Sequence, residues 1–178
     1  MKIITAPEIY KNNNNNNITC FLAGGITNCP NWQNEVIKNI QEYSSRTNID
    51  LRYLDIYNPR RENFPIDNPN AAQKQIEWEF KYLEECDIFS MYFCNAPSDQ
   101  PICMYELGRN ISEIKKNYSK TWEHRIIISV EKGYKREQDV FIQTRLATNS
   151  IIKPFSWATP VFHAMAIVNN YDWLLKNI

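Results

Sequence analysis

An α/β fold, a doubly wound sandwich around a roughly five-stranded parallel sheet, is what this chain of 178 residues predicts. Three observations carry that expectation. Short apolar runs alternate with amphipathic stretches along most of the chain. The runs are apolar at consecutive positions, as strands buried on both faces must be. Pro, Asn and Gly mark the boundaries between them.

The elements follow in order. Residues 1–17 read as a flexible N-terminal extension, because the Asn12–Asn17 run offers no apolar surface to bury. Whether Lys2–Thr5 adds a strand is left open. The domain is expected over residues 18–178. Ile18–Ala23 is a buried strand ending at Gly24-Gly25. Pro30 opens a helix over 31–43, with Trp32, Val36, Ile37 and Ile40 on one face. Leu51–Ile56 is the second strand, stopped by Asn58-Pro59.

Pro69 is placed to start a helix that reaches Glu85, with Ile76, Phe80 and Leu83 as its apolar stripe. Asp87–Phe93 is the third strand, and Pro101 opens a helix through Lys116. Arg125–Val130 is the fourth strand, Glu137–Ala147 a helix, Ile151–Phe155 a short fifth strand and Val161–Lys176 a closing helix. The flavodoxin-like arrangement fits this order and length.

Composition narrows the function. Twenty basic residues balance twenty acidic ones, so no electrostatic footprint for a nucleic acid polymer or an acidic membrane is present. A small-molecule substrate is expected. No apolar run reaches the roughly 20 residues a bilayer span needs, and the N-terminus lacks a signal-peptide pattern. A cytoplasmic location is the expectation. Five cysteines, none at C-x-x-C spacing, and two distant histidines argue against a disulfide framework or a metal cluster.

In an open α/β sheet, ligands bind beyond the carboxyl ends of the strands. That rule selects the loops 24–28, 58–64, 95–100 and 131–136. Gly24 and Gly25 permit close backbone approach to a ligand, without the G-x-G-x-x-G or G-K-[ST] patterns of nucleotide cofactor folds. Arg60 and Arg61 follow Asn58-Pro59, and an arginine turned into the site would grip a phosphate. Glu77 and Glu79 are two apart on one helix, so at most one enters a given cleft. Trp78 is placed either to stack on a base or to pack. Glu106 lies early in its helix, where the dipole is expected to lower its pKa and keep it ionised. Two carboxyls converging on one crevice suit glycosidic chemistry, one attacking the anomeric carbon and one handling the leaving group's proton.

Five stretches, in order, resemble the nucleoside 2-deoxyribosyltransferase family. They are Phe21–Gln33, Asn58–Arg61 with Phe64-Pro65, Gln75–Glu79, Pro101-Ile102 with Tyr105–Gly108, and Tyr134–Arg136 with Gln138-Asp139. The resemblance implies a flavodoxin-like fold and a double displacement with no cofactor and no metal. The glutamate of the Tyr-Glu-Leu-Gly motif is the family's nucleophile, which assigns that role to Glu106. The second-helix acid stands eight residues before Asp87 and is therefore Glu79. Asp99 is nearest to a further family acid. Gly24 and Gly25 would border the sugar and Trp78 the base, with Asn58 and Arg60 as further substrate contacts.

The implied activity is transfer of 2-deoxyribose between a deoxynucleoside or deoxynucleotide and a free nucleobase. A deoxynucleoside 5′-monophosphate hydrolase is the alternative, made credible by Arg60 and Arg61. A non-catalytic nucleotide-binding module is the third reading. The resemblance also implies a homo-oligomer in which a neighbour's C-terminal region completes each site, with Trp157, His163 and Met165 as candidates by position.

Overall fold

The structure, a computed structural model, describes residues 1–10, 17–65 and 67–178. The expected Asn run falls almost wholly outside the described residues.

All strands are parallel. They are β1 (Lys2–Thr5), β2 (Ile18–Gly24), β3 (Leu54–Asn58), β4 (Ile88–Phe93) and β5 (Ile126–Val130), in the order β1-β3-β2-β4-β5. Central β2 is fully apolar or small along its buried length, and its Cys20 lies opposite both Ile56 of β3 and Ile88 of β4. Helices cover both faces, which is the doubly wound α/β architecture the alternation predicts.

The helices divide the core in two. Helix α1 (Trp32–Thr47) buries Trp32, Val36, Ile37 and Ile40, and packs with α5 (Pro160–Asn177) over one face of the sheet. Helices α2 (Pro69–Glu85), α3 (Pro101–Asn117) and α4 (Glu137–Ala147) cover the other. Pro starts α2, α3 and α5, where its missing N–H costs nothing.

Three expectations are corrected. Residues 1–10 do not stand apart as a flexible extension: β1 is the edge strand, with Ile4 fully buried against β3. Beyond it, the Tyr10 N–H donates to Tyr82 Oη and Glu8 O accepts from Trp78 Nε1. The fifth strand is therefore N-terminal. Ile151–Phe155 forms only an isolated bridge, Phe155 to Ser129. Pro154 within that run limits further ladder bonds. On α2, the buried face runs through Ala71, Gln75, Trp78, Tyr82 and Leu83, while Ile76 and Phe80 are exposed. Trp78 and Tyr82 win the core because Phe21 and Tyr57 on the sheet stack against them.

From β2 the chain crosses to β3 on one side and, after α2, returns at β4 on the other. A crevice opens between the carboxyl ends of β2 and β4.

Candidate active site

That crevice is a cavity of about 740 Å³, within the usual range for small-molecule sites. Gly24–Thr27 after β2, Pro59, Arg61 and Phe64 after β3, and Ser98 and Gln100 after β4 form much of its wall. Gln75, Ile76 and Glu79 of α2 and Ile102, Cys103 and Glu106 of α3 supply the rest. The lining is largely apolar, with Arg61, Glu79 and Glu106 as its charged groups.

The two carboxyls come from different helices. Glu79 lies on the flank of α2 opposite the charged Glu77, whose carboxylate stays outside and accepts from Gln73 Nε2 at 2.7 Å. Burial raises the Glu79 pKa, opposed by the N–H of Gln75, which donates to Glu79 Oε1 at 2.8 Å. Burial first, and then the neighbouring Glu79 charge, push Glu106 up to about 8, with Arg109 opposing. The expected lowering of the Glu106 pKa does not occur. Glu106 is the sixth residue of α3, past the first turn in which the dipole acts. Desolvation and a like charge dominate instead. Both carboxyls therefore hold their protons to higher pH than exposed ones do.

The first loop is held rigidly. Arg60 Nε donates to Gln33 Oε1 at 2.7 Å, and its Nη2 reaches the carbonyls of Ile26 (3.1 Å), Cys29 (3.3 Å), Pro30 (2.8 Å) and Gly25 (3.4 Å). The Gly25 N–H donates to Gln100 Oε1, and Gln100 Nε2 donates to Cys94 O at 2.7 Å. Gln100 has φ 51°, an unusual conformation for a non-glycine residue, and it ties the β2 loop to the β4 loop.

A family model described as nucleoside 2-deoxyribosyltransferase like matches residues 17–119. The chain belongs to that family. No curated protein matches it. The matched stretch of this deoxyribosyltransferase-like domain runs from β2 through α3, and so contains every wall of the cavity. The Tyr134–Asp139 segment lies outside it.

Among the sequence-predicted residues, the fold brings Gly24, Gly25, Glu79 and Glu106 together in the cavity. Arg61 also lines it, while Trp78, Asn58, Arg60 and Asp99 do not. Trp78 is 6% exposed and packs in the core against Phe21 and Tyr82, outside the cavity lining. Asn58 is buried at the end of β3, its Oδ1 accepting from the Arg60 N–H. Arg60 is spent on the loop carbonyls, and Arg61 lines the cavity in its place. Asp99 points to solvent beside Lys135 at 3.7 Å. The loop 131–136 does not reach the cavity: Glu131 accepts from the Asn95 N–H and Tyr134 donates to Asp99 O.

His163, a candidate by position to complete a neighbour's site, is fully buried between Ser90 Oγ (2.6 Å) and Ser129 Oγ (2.7 Å). Met165 is half-buried and Trp157 exposed. Among the described residues, no helix is long and apolar enough to cross a membrane.

The reading of the sequence missed Gln75, Gln100 and Phe64. Gln75 was signalled by its spacing, four residues before Glu79, which places both on one helix face. Gln100 carried no signal, because its role depends on a left-handed backbone before α3.

Proposed function

We propose that this protein transfers 2-deoxyribose between nucleobases through a covalent glycosyl-Glu106 intermediate. One observation carries the reading: two carboxyls from separate helices line one cavity, and burial raises the pKa of both. Glycosidic chemistry needs an acid and a carboxylate together.

Before substrate binds, Glu106 holds a proton more firmly, because the Gln75 N–H favours ionised Glu79. With the sugar seated, positive charge developing at C1′ favours the Glu106 carboxylate, and the proton passes to Glu79. Glu106 Oε then bonds C1′ as the C1′–N bond breaks. The departing base takes the bonding pair and accepts the Glu79 proton. An incoming base attacks C1′ from the face the first base left and gives its proton to Glu79, the C1′–Glu106 Oε bond breaks and restores the Glu106 carboxylate, and configuration is retained. The rigid Gly24–Thr27 loop supplies a fixed wall for the sugar. Water in place of the second base makes the same site a hydrolase.

The mouth of the cavity also supports a homo-oligomer. Phe64, Ile76, Phe80, Ile102 and Tyr105 are all exposed large apolar side chains on the elements around it. Sedimentation of the wild type and of Phe80→Asp checks this: the wild type runs as an oligomer and the variant as a smaller species.

The function is tested by incubating the protein with a deoxynucleoside, and in parallel with its 5′-monophosphate, and a different free base, with Glu106→Ala as control. The exchanged nucleoside forms with wild type and is lost, by about a thousandfold or more, in the variant. Absence of base release with every base tried overturns the reading.

A further inference from the structure

Adjacent arginines in the loop after β3 meet opposite fates. The Arg60 guanidinium gives Nε to Gln33 and Nη2 to four loop carbonyls, and it does not line the cavity. Arg61 turns the other way and is the one cationic side chain in the cavity wall among the described residues. Its guanidinium rests on the face of Phe64, 5.4 Å from the ring centroid. That contact orients the fork while leaving its N–H edge to a ligand. Arg61 forms no ion pair with either acid among the described residues: the charge that offsets Glu106 is Arg109, and Glu79 is opposed only by the Gln75 hydrogen bond. A cavity with a carboxyl pair and a separate unneutralised cation suits a ligand that is reactive at one point and anionic at another.

We infer that Arg61 binds the 5′-phosphate of the substrate, which is therefore a deoxynucleoside 5′-monophosphate rather than a free nucleoside. The inference rests on the N-glycosidic reading above and adds its substrate class. A nucleotide fits the arrangement chemically. Its C1′ and its 5′-phosphate leave the sugar ring on different carbons, so the phosphate is held by Arg61 while C1′ meets the carboxyls. Seating the phosphate against the carboxyls instead would set like charges together in a poorly solvated site. Thr27 and Ser98, also in the wall, add hydroxyl donors. A guanidinium fork matches phosphate oxygens in pairs, which a lysine does not.

The test compares kcat/KM for matched pairs of deoxynucleosides and their 5′-monophosphates, using wild type, Arg61→Ala and Arg61→Lys. The monophosphates are expected to be preferred by tenfold or more. Arg61→Ala is expected to lower the monophosphate values far more than the nucleoside values, and Arg61→Lys to restore only part. As a readout independent of turnover, inorganic phosphate is expected to raise the Tm of wild type and not of Arg61→Ala. Equal use of both substrate classes, or an equal loss on both in Arg61→Ala, overturns the inference while leaving the glycosidic reading intact. If neither class releases base, the glycosidic reading fails by itself, and a phosphate-induced Tm rise that is the same in Arg61→Ala then overturns the assignment of Arg61 as well.

Discussion

Gln75 donates one N–H to Glu79 Oε1 at 2.8 Å and the other to Pro59 O at 2.7 Å, so a loop carbonyl fixes the amide that fixes the acid. The amide oxygen of Gln75 is buried with no partner among the described residues. Turning the amide over would forfeit both donated bonds, so its orientation is set. Gln75→Leu removes the bond that favours ionised Glu79 and raises its pKa further. The expected result is a shift of the alkaline limb of the pH profile of kcat/KM to higher pH. A stability loss of about 1–2 kcal/mol from the stranded Pro59 carbonyl accompanies it. A loss of stability with the limb unmoved would show that Gln75 acts on the fold and not on Glu79.

The raised affinity of Glu106 for its proton makes stability depend on pH. In the unfolded chain this carboxyl ionises near its ordinary value of 4.5, whereas folded it holds the proton to about 8. Below 4.5 both states are protonated and pH has no effect through this group. Between those values the unfolded chain has released the proton and the folded chain has not, so stability falls as pH rises. Above about 8 the loss is complete. Glu106→Gln has no proton to lose. It is expected to match the wild type near pH 4.5 and to exceed it at pH 9 by about 1 kcal/mol or more, roughly 2–4 °C in Tm. Thermal melts across this range check it, and a difference that does not grow with pH counts against the burial of the Glu79–Glu106 pair.

Much of the fold was legible because hydrophobic period and proline position act locally. Glu137–Ala147 and Pro69–Glu85 are bounded where their sequence signals place them. What was not legible depended on competition between distant elements. Ile76 and Trp78 are both apolar, and only the aromatic partners on β2 and β3 decide that Trp78 is inside and Ile76 at the cavity mouth. Likewise, nothing local distinguishes Arg60 from Arg61. The carbonyls that enclose Arg60 come from residues some thirty positions earlier. Helical spacing sends at most one of Glu77 and Glu79 into a cleft, and the family resemblance, through its register to Asp87, pointed to Glu79 as the partner of Glu106. The elevated pKa values of Glu79 and Glu106 were not legible, because burial is a property of the closed cavity.

Arg60 offers a test of how the first loop is built. Its pKa is lowered by burial, and its donors converge on carbonyls that no other side chain reaches together. Arg60→Ala takes a donor from Cys29 O, Pro30 O and Gln33, whose Nε2 already lacks a partner among the described residues, while Gly25 O keeps Trp32 Nε1 and Ile26 O keeps the Cys29 N–H. A loss of about 2–4 kcal/mol is expected in denaturant unfolding. Arg60→Lys recovers little of it, because an ammonium is a point donor and cannot span the same fork. Full recovery by lysine would mean that charge alone holds the loop.

Gly25 is where the loop and the cavity depend on each other most closely. A Cβ added there would lie 2.5 Å from Cys29 Sγ and 2.7 Å from Gln100 Oε1, the acceptor of the Gly25 N–H. Neither neighbour yields freely. Gln100 is 3% exposed and anchored to Cys94 O, and Cys29 is carried by the loop that Arg60 clamps. Gly25→Ala therefore pushes Gln100 away and separates the β2 loop from the β4 loop, moving the wall proposed to border the sugar. The carboxyls of Glu79 and Glu106, carried on α2 and α3, stay where they are. The expected signature is a loss of tenfold or more in kcat/KM, with a stability cost of about 1–3 kcal/mol from overpacking. The alkaline limb of the pH profile stays in place, because the environment of Glu79 and Glu106 is unchanged. Activity equal to wild type would show that the loop is not part of the sugar site. A displaced pH limb would show instead that the loop and the carboxyl pair move as one.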